Sequence, residues 1–438
     1  MYSSAWVTLL HLALLVPGSF AAPRRLGGHS KGQGKSHHKV LDNGVVVLAK
    51  SYRKYGHKAA QNVGDTLKAT HGVETNEKAA VAGSGISSSS KVAQPGRGTG
   101  VGQVASYPAN EGAEYLVPVT IGGQTLQMNL DTGSSDLWIF STALDSHERG
   151  NHTLYDPSHS RSHQQVPEAM FAVSYGDDTA LTGHVGADTV AIGGVTVAAQ
   201  AVAMPTSFST GIIDDPSDGI VGLGFQKMNS ICSKGAPAPN AANDACPDGH
   251  GPNPRPTWFE NARAALAQGV FAANLKMGTK GGYTFGKIDE DAFEGKLTWV
   301  KVDSSKGFWQ VGSSGYRVGR KEEGKEGSDG DGGVVKYEGE DGIVDSGSSL
   351  LMLQPEVVAA YYRGVKGATK DETGWTYPCG TKLPDFGLGL GKGKTEYVAA
   401  IPGAVIDYAP TSNPKGESQS CPSLPDAFFF SEVVKGFC

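Results

Sequence analysis

Apolar and polar positions alternate along this chain in short runs rich in β-branched and aromatic residues. The runs are Tyr115–Ile121, Thr125–Leu130, Met170–Tyr175, Thr189–Ile192, Val195–Ala203, Tyr283–Phe285, Lys296–Val302 and Phe308–Val318. Gly, Asp and Ser punctuate them, and this combination predicts strands, so the body reads as all-β. Two stretches carry an apolar face at helical spacing instead, Thr257–Leu266 and Pro355–Val365. Two Gly-rich inserts, 226–256 and 320–342, follow neither period and are expected to be surface loops, the second a solvated hairpin. Residues 83–105, rich in Ser and Gly, read as a linker.

The chain opens with an apolar run, Trp6–Val16, followed by Ser19-Phe20-Ala21. Small residues at those positions predict a signal peptide, residues 1–21, cut after Ala21. That run is too short for a membrane span, and no later stretch reaches the ~18 apolar residues a span needs. An exported, extracellular protein with no membrane partner is expected.

Charge divides the remainder sharply. Residues 22–105 hold 13 Lys and Arg against 4 Asp and Glu, a net +9, whereas 106–438 hold 25 against 40, a net −15. No basic groove interleaved with aromatics occurs in the body, so nucleic acid is not an expected partner. A basic leader ahead of an acidic body reads as an intramolecular partner.

Five cysteines, Cys232, Cys246, Cys379, Cys421 and Cys438, agree with an oxidising compartment. Cys232 with Cys246 and Cys379 with Cys421 are the expected pairs, free thiols being the alternative, and Cys438 is left over. No Cys-x-x-Cys occurs, so a zinc site is not expected. Asn151-His152-Thr153 is the only glycosylation sequon.

The chemistry is carried by a pattern used twice. Asp131-Thr132-Gly133-Ser134-Ser135 returns 214 residues later as Asp345-Ser346-Gly347-Ser348-Ser349. Each copy follows apolar residues and precedes another apolar run, Leu137–Phe140 or Leu350–Leu353. A strand thus delivers each Asp to a tight, Gly-containing turn. Two such turns imply two related lobes that meet with one carboxylate from each.

With these motifs in place, the chain resembles the pepsin-like aspartic endopeptidases, most closely the secreted fungal members. The resemblance runs from about Tyr107 to Cys421. Beyond the two Asp motifs and Trp138, it rests on Tyr175-Gly176-Asp177-Asp178, Asp218-Gly219-Ile220-Val221-Gly222-Leu223-Gly224 and Thr257-Trp258-Phe259-Glu260-Asn261. Tyr283-Thr284-Phe285-Gly286 and Phe308-Trp309-Gln310-Val311 extend it.

The resemblance implies a bilobal β fold with a cleft between lobes 106–288 and 289–438. In that cleft Asp131 and Asp345 would hold a water that attacks a peptide carbonyl, with no metal, cofactor or covalent intermediate. Thr132 and Ser346 would interlock beneath the turns. Backbone N–H groups near Gly133 and Gly347 would face the carboxylates, with the Ser134 and Ser348 hydroxyls on their outer oxygens. Tyr175, with Gly176, Asp177 and Asp178, would form a flap over an extended polypeptide substrate, and Trp138 would wall the pocket beneath it. Asp178 departs from the Gly that many relatives carry, which places a second acid at the flap. Residues 22–100 would be a basic propeptide and linker that inhibits the monomeric enzyme, Lys54-Tyr55 plugging the cleft until acid releases it.

The family pattern after Cys421 calls for an apolar-apolar-Gly strand and a closing hairpin. Here Pro422–Glu432 stands in that place, so the C-terminal lobe is expected to lack its last strands, as a damaged 3′ end would cause. That departure motivates the alternative, a pepsin-like protein without activity that binds or inhibits through peptide recognition.

Overall fold

The structure is a computed structural model. It describes residues 10–11, 100–109, 112, 114–174, 180–208, 215–236, 246, 249–276, 279–293, 297–319, 335–336, 341–348, 350–371, 374–378, 380–391, 397–406, 411–412, 418–423 and 427–429. Among them strands dominate, as the alternation predicts, and they gather into two sheet-rich lobes.

The first lobe is one long twisted sheet. Its path runs from His250–Pro252 through Ile231–Lys234, Gln164–Ser174, Ala180–Ile192, Val195–Phe208 and Leu137–Ile139 to Gly219–Gly222. It continues through Gln124–Asp131, Glu114–Ile121, Gly102–Ala109 and Gly281–Phe285 to the edge strand Phe271–Asn274. Val117, Val119 and Ile121 from one strand, and Leu126, Met128 and Leu130 from its partner, are wholly buried. The second lobe folds Val302–Asp303, Gln310–Val318, Phe386–Leu390 and Tyr397–Ile401 into a sheet, with Asp341–Ile343 added against Gln310–Gly312. The helix Pro355–Arg363 starts on a proline, whose missing N–H costs nothing in a first turn. It packs Val357, Val358, Tyr361 and Tyr362 into the second lobe's core.

Several elements differ from their expectation. The insert at 226–256 is not only loop. Ile231–Lys234 and His250–Pro252 form a hairpin on the sheet edge, closed by the Cys232–Cys246 disulfide and paired with Ala169–Phe171. Pairing and a covalent clip replace the apolar periodicity that the insert lacks. The helix expected over Thr257–Leu266 is cut short, to Trp258–Ala262. A capping box of Thr257 and Glu260 starts that helix, and the Ala265 carbonyl then accepts from Gly100 N–H instead of continuing it. The stretch read as linker becomes strand from Gly102, which pairs with Phe285. Between 320 and 342, Val335–Lys336 pairs with Gly315–Tyr316.

After its Asp, each lobe sends out a short strand. In the first, Leu137–Ile139 pairs with Gly219–Val221. In the second, Leu350–Met352 pairs antiparallel with Ala427–Phe429, a segment to which the sequence reading assigned no strand. Gly219–Gly222 also runs parallel beside Asn129–Asp131. Among the described residues, Asp341–Ile343 has no such neighbour. Leu10–His11, within the expected signal peptide, pairs with Trp299–Val300. Cys421 lies opposite Tyr377, but Cys379 and Cys438 lie outside the described residues.

The lobes share a core. Trp309 of the second lobe is buried, and its indole N–H donates to the Leu223 carbonyl of the first at 2.8 Å. Its ring sits 4.7 Å from Phe225 and 5.6 Å from Phe271, centroid to centroid. Trp309→Ala removes the packing and leaves that carbonyl unpaired. Urea unfolding should show a loss of about 3–5 kcal/mol. A loss of under ~1 kcal/mol would mean that the lobes are held together elsewhere.

Candidate active site

The strand Gln124–Asp131 ends at the lobe boundary because its last residue is followed by a Gly-containing turn. That turn folds back on its own carboxylate. Gly133 N–H donates to Asp131 Oδ1 at 2.9 Å, and the Ser134 hydroxyl donates to Oδ2 at 2.5 Å. The second turn repeats the first bond, with Gly347 N–H donating to Asp345 Oδ1 at 2.9 Å. Ser348 lies half-buried in that turn. Both aspartates are buried, at 2% and 8% exposure.

Gly133 shows how close the two turns come. A Cβ built there would lie 2.5 Å from Asp345 Oδ1 and 2.9 Å from Oδ2. Only glycine lets the Asp345 carboxylate rest against the Asp131 turn.

Beneath them the chains are tied reciprocally. Thr132 N–H donates to Ser346 Oγ at 2.9 Å, and Ser346 N–H donates to Thr132 Oγ1 at 2.8 Å. Each hydroxyl then donates onward across the boundary, Thr132 to the Val344 carbonyl at 2.9 Å and Ser346 to the Leu130 carbonyl at 2.7 Å. The structure therefore brings Asp131, Thr132, Gly133, Ser134, Asp345, Ser346 and Gly347 together.

Three supporting residues went unrecognised in the sequence as site groups. Tyr283 also donates to the Leu130 carbonyl, at 3.2 Å. Burial, with the nearby Asp131 and Asp345 charges, holds its phenol well above the ordinary range. Asp136, buried, accepts from Asn229 Nδ2 at 2.7 Å, Ser230 N–H at 2.9 Å and the Ser230 hydroxyl at 2.9 Å. Burial pushes its carboxyl up to about 6, against the pull of the Ser230 bonds. Asp218 receives Gln127 N–H and Thr153 N–H, each at 2.8 Å, with His152 Nδ1 at 3.7 Å. Burial alone would raise Asp218, but the bonds from His152, Gln127 and Thr153 outweigh it and hold it low. These residues brace Gly219–Gly222 against the Asp131 strand.

Trp138 is buried beside Phe140, and its indole N–H has no partner among the described residues. Gln164–Ser174 and Ala180–Ile192 form a hairpin closed by Ser174 opposite Ala180. Its tip, with Tyr175, Gly176, Asp177 and Asp178, lies outside the described residues, as do Lys54 and Tyr55. Asn151 is exposed on a turn. Asp145, His147 and Glu148 place ligand atoms within 4.8 Å of one another on the surface, with no part in the aspartate pair.

Two outcomes follow from this geometry. Gly133→Ala should push the turns apart and cut kcat/KM roughly 100-fold, as an ångström-scale misplacement does. An unchanged value would show that the turns can separate without cost. For Asp136, the folded carboxyl titrates at about 6 and the unfolded one near 3.8. Its stability contribution is therefore complete below 3.8 and lost as pH rises through 6, up to about 3 kcal/mol. Asp136→Asn should flatten the fall in unfolding free energy between pH 4 and 7, and an unaltered slope would remove Asp136 as its source.

Comparison with known proteins gives the family. A family model described as eukaryotic aspartyl protease matches residues 114–421. An aspergillopepsin A-like aspartic endopeptidase of Aspergillus fumigatus is 34% identical over 415 residues, covering 92% of this chain and 86% of its own. Aspergillopepsin-1 of Aspergillus flavus is 38% identical over 315 residues, 71% of this chain and 69% of its own. Penicillopepsin-2 of Penicillium janthinellum is 35% identical over 312 residues, 70% and 69% of the two chains. Among solved structures, an aspartic proteinase from Irpex lacteus shares the fold with a TM-score of 0.53 at 18% identity, over 77% of this chain and 90% of its own. The chain belongs to the eukaryotic aspartyl protease family and is an aspartic-type endopeptidase that acts on polypeptides.

Proposed function

We propose that Asp131 and Asp345 carry out peptide hydrolysis as a pair sharing one proton. The observation that carries this reading is the Asp345 carboxylate resting against Gly133, one turn from the Asp131 carboxylate. Two adjacent carboxylates do not both ionise readily, because the second charge is placed beside the first. The pair therefore titrates as a unit, as aspartic proteases do in general. The ionised member takes a proton from a water as its oxygen attacks the peptide carbonyl carbon. The neutral member gives its proton to the carbonyl oxygen, forming a tetrahedral diol. Collapse of that diol breaks the C–N bond, with a proton passing to the leaving amine. Each carboxylate keeps its orientation through its own turn's N–H, and Ser134 holds the outer oxygen of Asp131.

The hairpin of Gln164–Ser174 and Ala180–Ile192 would fold over the site as a flap. Tyr175 at its tip would accept the Trp138 indole N–H, which has no partner among the described residues, and close over an extended substrate. Ser348 would hold the outer oxygen of Asp345 as Ser134 holds that of Asp131. The protein is made for export through residues 1–21 and acts outside the cell as a monomer, with Asn151 open to glycosylation. The +9 leader, through Lys54 and Tyr55, occupies the cleft of the −15 body as a zymogen. Acid protonates the carboxylates that hold it and loosens the pairing.

The test uses the full chain, secreted from a eukaryotic host and shifted to about pH 3–4, where a shared-proton pair is competent. Cleavage of a denatured protein should be blocked by a statine-type inhibitor and fall at least about 1000-fold in Asp131→Asn and Asp345→Asn. Cleavage that survives either substitution overturns the two-aspartate reading. A leader that stays attached to an active, folded enzyme in acid overturns the zymogen reading alone.

A further inference from the structure

A cavity of about 500 Å³ lies apart from the aspartate pair, under the edge of the first lobe's sheet. Its origin is legible in the strand registers. Gln103, Thr284 and Ala272 form one cross-strand row, and Ala105, Gly282 and Asn274 form the next. Alternation sends Tyr283 and Ala273 to the opposite face, into the core. The exposed face is thus paved mostly with small side chains. Phe293 and Leu297 line the space as well.

The lining is not simply apolar. Among the described lining residues, Lys276 and Lys280 stand against the one carboxylate of Asp289, an excess of one positive charge. Lys280 Nζ is 5.9 Å from the centre of the Tyr107 ring, which holds that ammonium at the strand edge. The side-chain oxygen of Asn274 is buried with no partner among the described residues. Such a group needs a partner of its own. An Asn amide can accept from a carboxylic acid or, turned over, donate to a carboxylate. The volume lies within the roughly 300–1,000 Å³ of small-molecule sites.

We infer that this cavity binds an anionic amphiphile, a medium-chain carboxylate whose head meets Lys276, Lys280 and Asn274 and whose tail lies between the small-residue floor and Phe293. The site is independent of the catalytic reading, since none of its lining residues belongs to the aspartate turns.

Decanoate is the probe, titrated calorimetrically into the full-length chain at pH 6 below its micelle-forming concentration. A statine-type inhibitor is kept present so that the cleft cannot take up the tail. Decyltrimethylammonium, with the same tail and a cationic head, is the control. One decanoate should bind per chain, at least about tenfold more tightly than the control. The double variant Lys276→Ala, Lys280→Ala should lose at least about tenfold in affinity. Ala105→Trp should fill the floor and abolish binding with the unfolding temperature retained, and Ala272→Phe fills the same space from the adjacent row. No binding, equal binding of both amphiphiles, or affinity unchanged by the lysine and filling variants would each overturn the proposal.

Discussion

The reciprocal bond between Thr132 and Ser346 is the constraint on which the site depends. Two carboxylates repel one another, so a scaffold that brings them together must hold them from elsewhere. Here the backbone N–H of each turn is satisfied by the other turn's hydroxyl, and each hydroxyl is spent again on a carbonyl across the boundary. Every donor in this crossing is buried, which makes the arrangement hard to relax: any displacement leaves a polar group without water or partner. The separation of the aspartates is thus set by four hydrogen bonds beneath them, not by the carboxylates themselves.

The same accounting explains why so much polar chemistry is buried around the Asp131 turn. Gly222 N–H goes to the Asp136 carbonyl, Gly224 N–H to Ser134, and the Ser135 hydroxyl to the Phe225 carbonyl. Asp136 and Asp218 then gather N–H groups that no ladder takes up, Ser230 and Thr153 from loops and Gln127 from the strand that ends at Asp131. Carboxylates suit this task because each offers several acceptor sites. Their environments pull them in opposite directions: Asp218 is held ionised, whereas burial makes Asp136 easier to protonate. An acid medium therefore relieves the one without discharging the other until lower pH.

The aspartate turns were legible because their chemistry is local: carboxylate, hydroxyl and glycine sit within five consecutive residues. So was the β character, since a half-buried strand must alternate. What escaped was whatever depended on remote partners. Asp136 and Ser230 are 94 residues apart, and Asp218 and Gln127 are 91 apart. Nothing beside Asp136 in the chain announces that its carboxyl will brace another loop. The hairpin Ile231–Lys234 with His250–Pro252 was hidden for a related reason. Its Gly, Pro and Ala content carries no period, and its order comes from a disulfide and a neighbouring strand. The short helix at Trp258 shows the converse, a real apolar pattern whose continuation lost its carbonyl to Gly100.

Among the described residues, the two aspartates are not supported alike. Asp131 stands at the end of a strand flanked on both sides, by Glu114–Ile121 and by the parallel Gly219–Gly222, and Leu223 N–H caps its carbonyl at 2.7 Å. Gly222 is packed so tightly that a Cβ there would meet the Ser135 and Asp136 backbone at 2.5–2.6 Å. Among the described residues, the strand before Asp345 is flanked on one side only, and Val344 N–H is taken by the Trp309 carbonyl. Trp309 itself is anchored to Leu223 of the first lobe. Among the described residues, Asp345 is thus located both by its own lobe, through Trp309 and Gly347 N–H, and by bonds that cross from the first lobe at Thr132. The first lobe acts as the template, and the second aspartate is registered against it through Thr132 below and Trp309 behind.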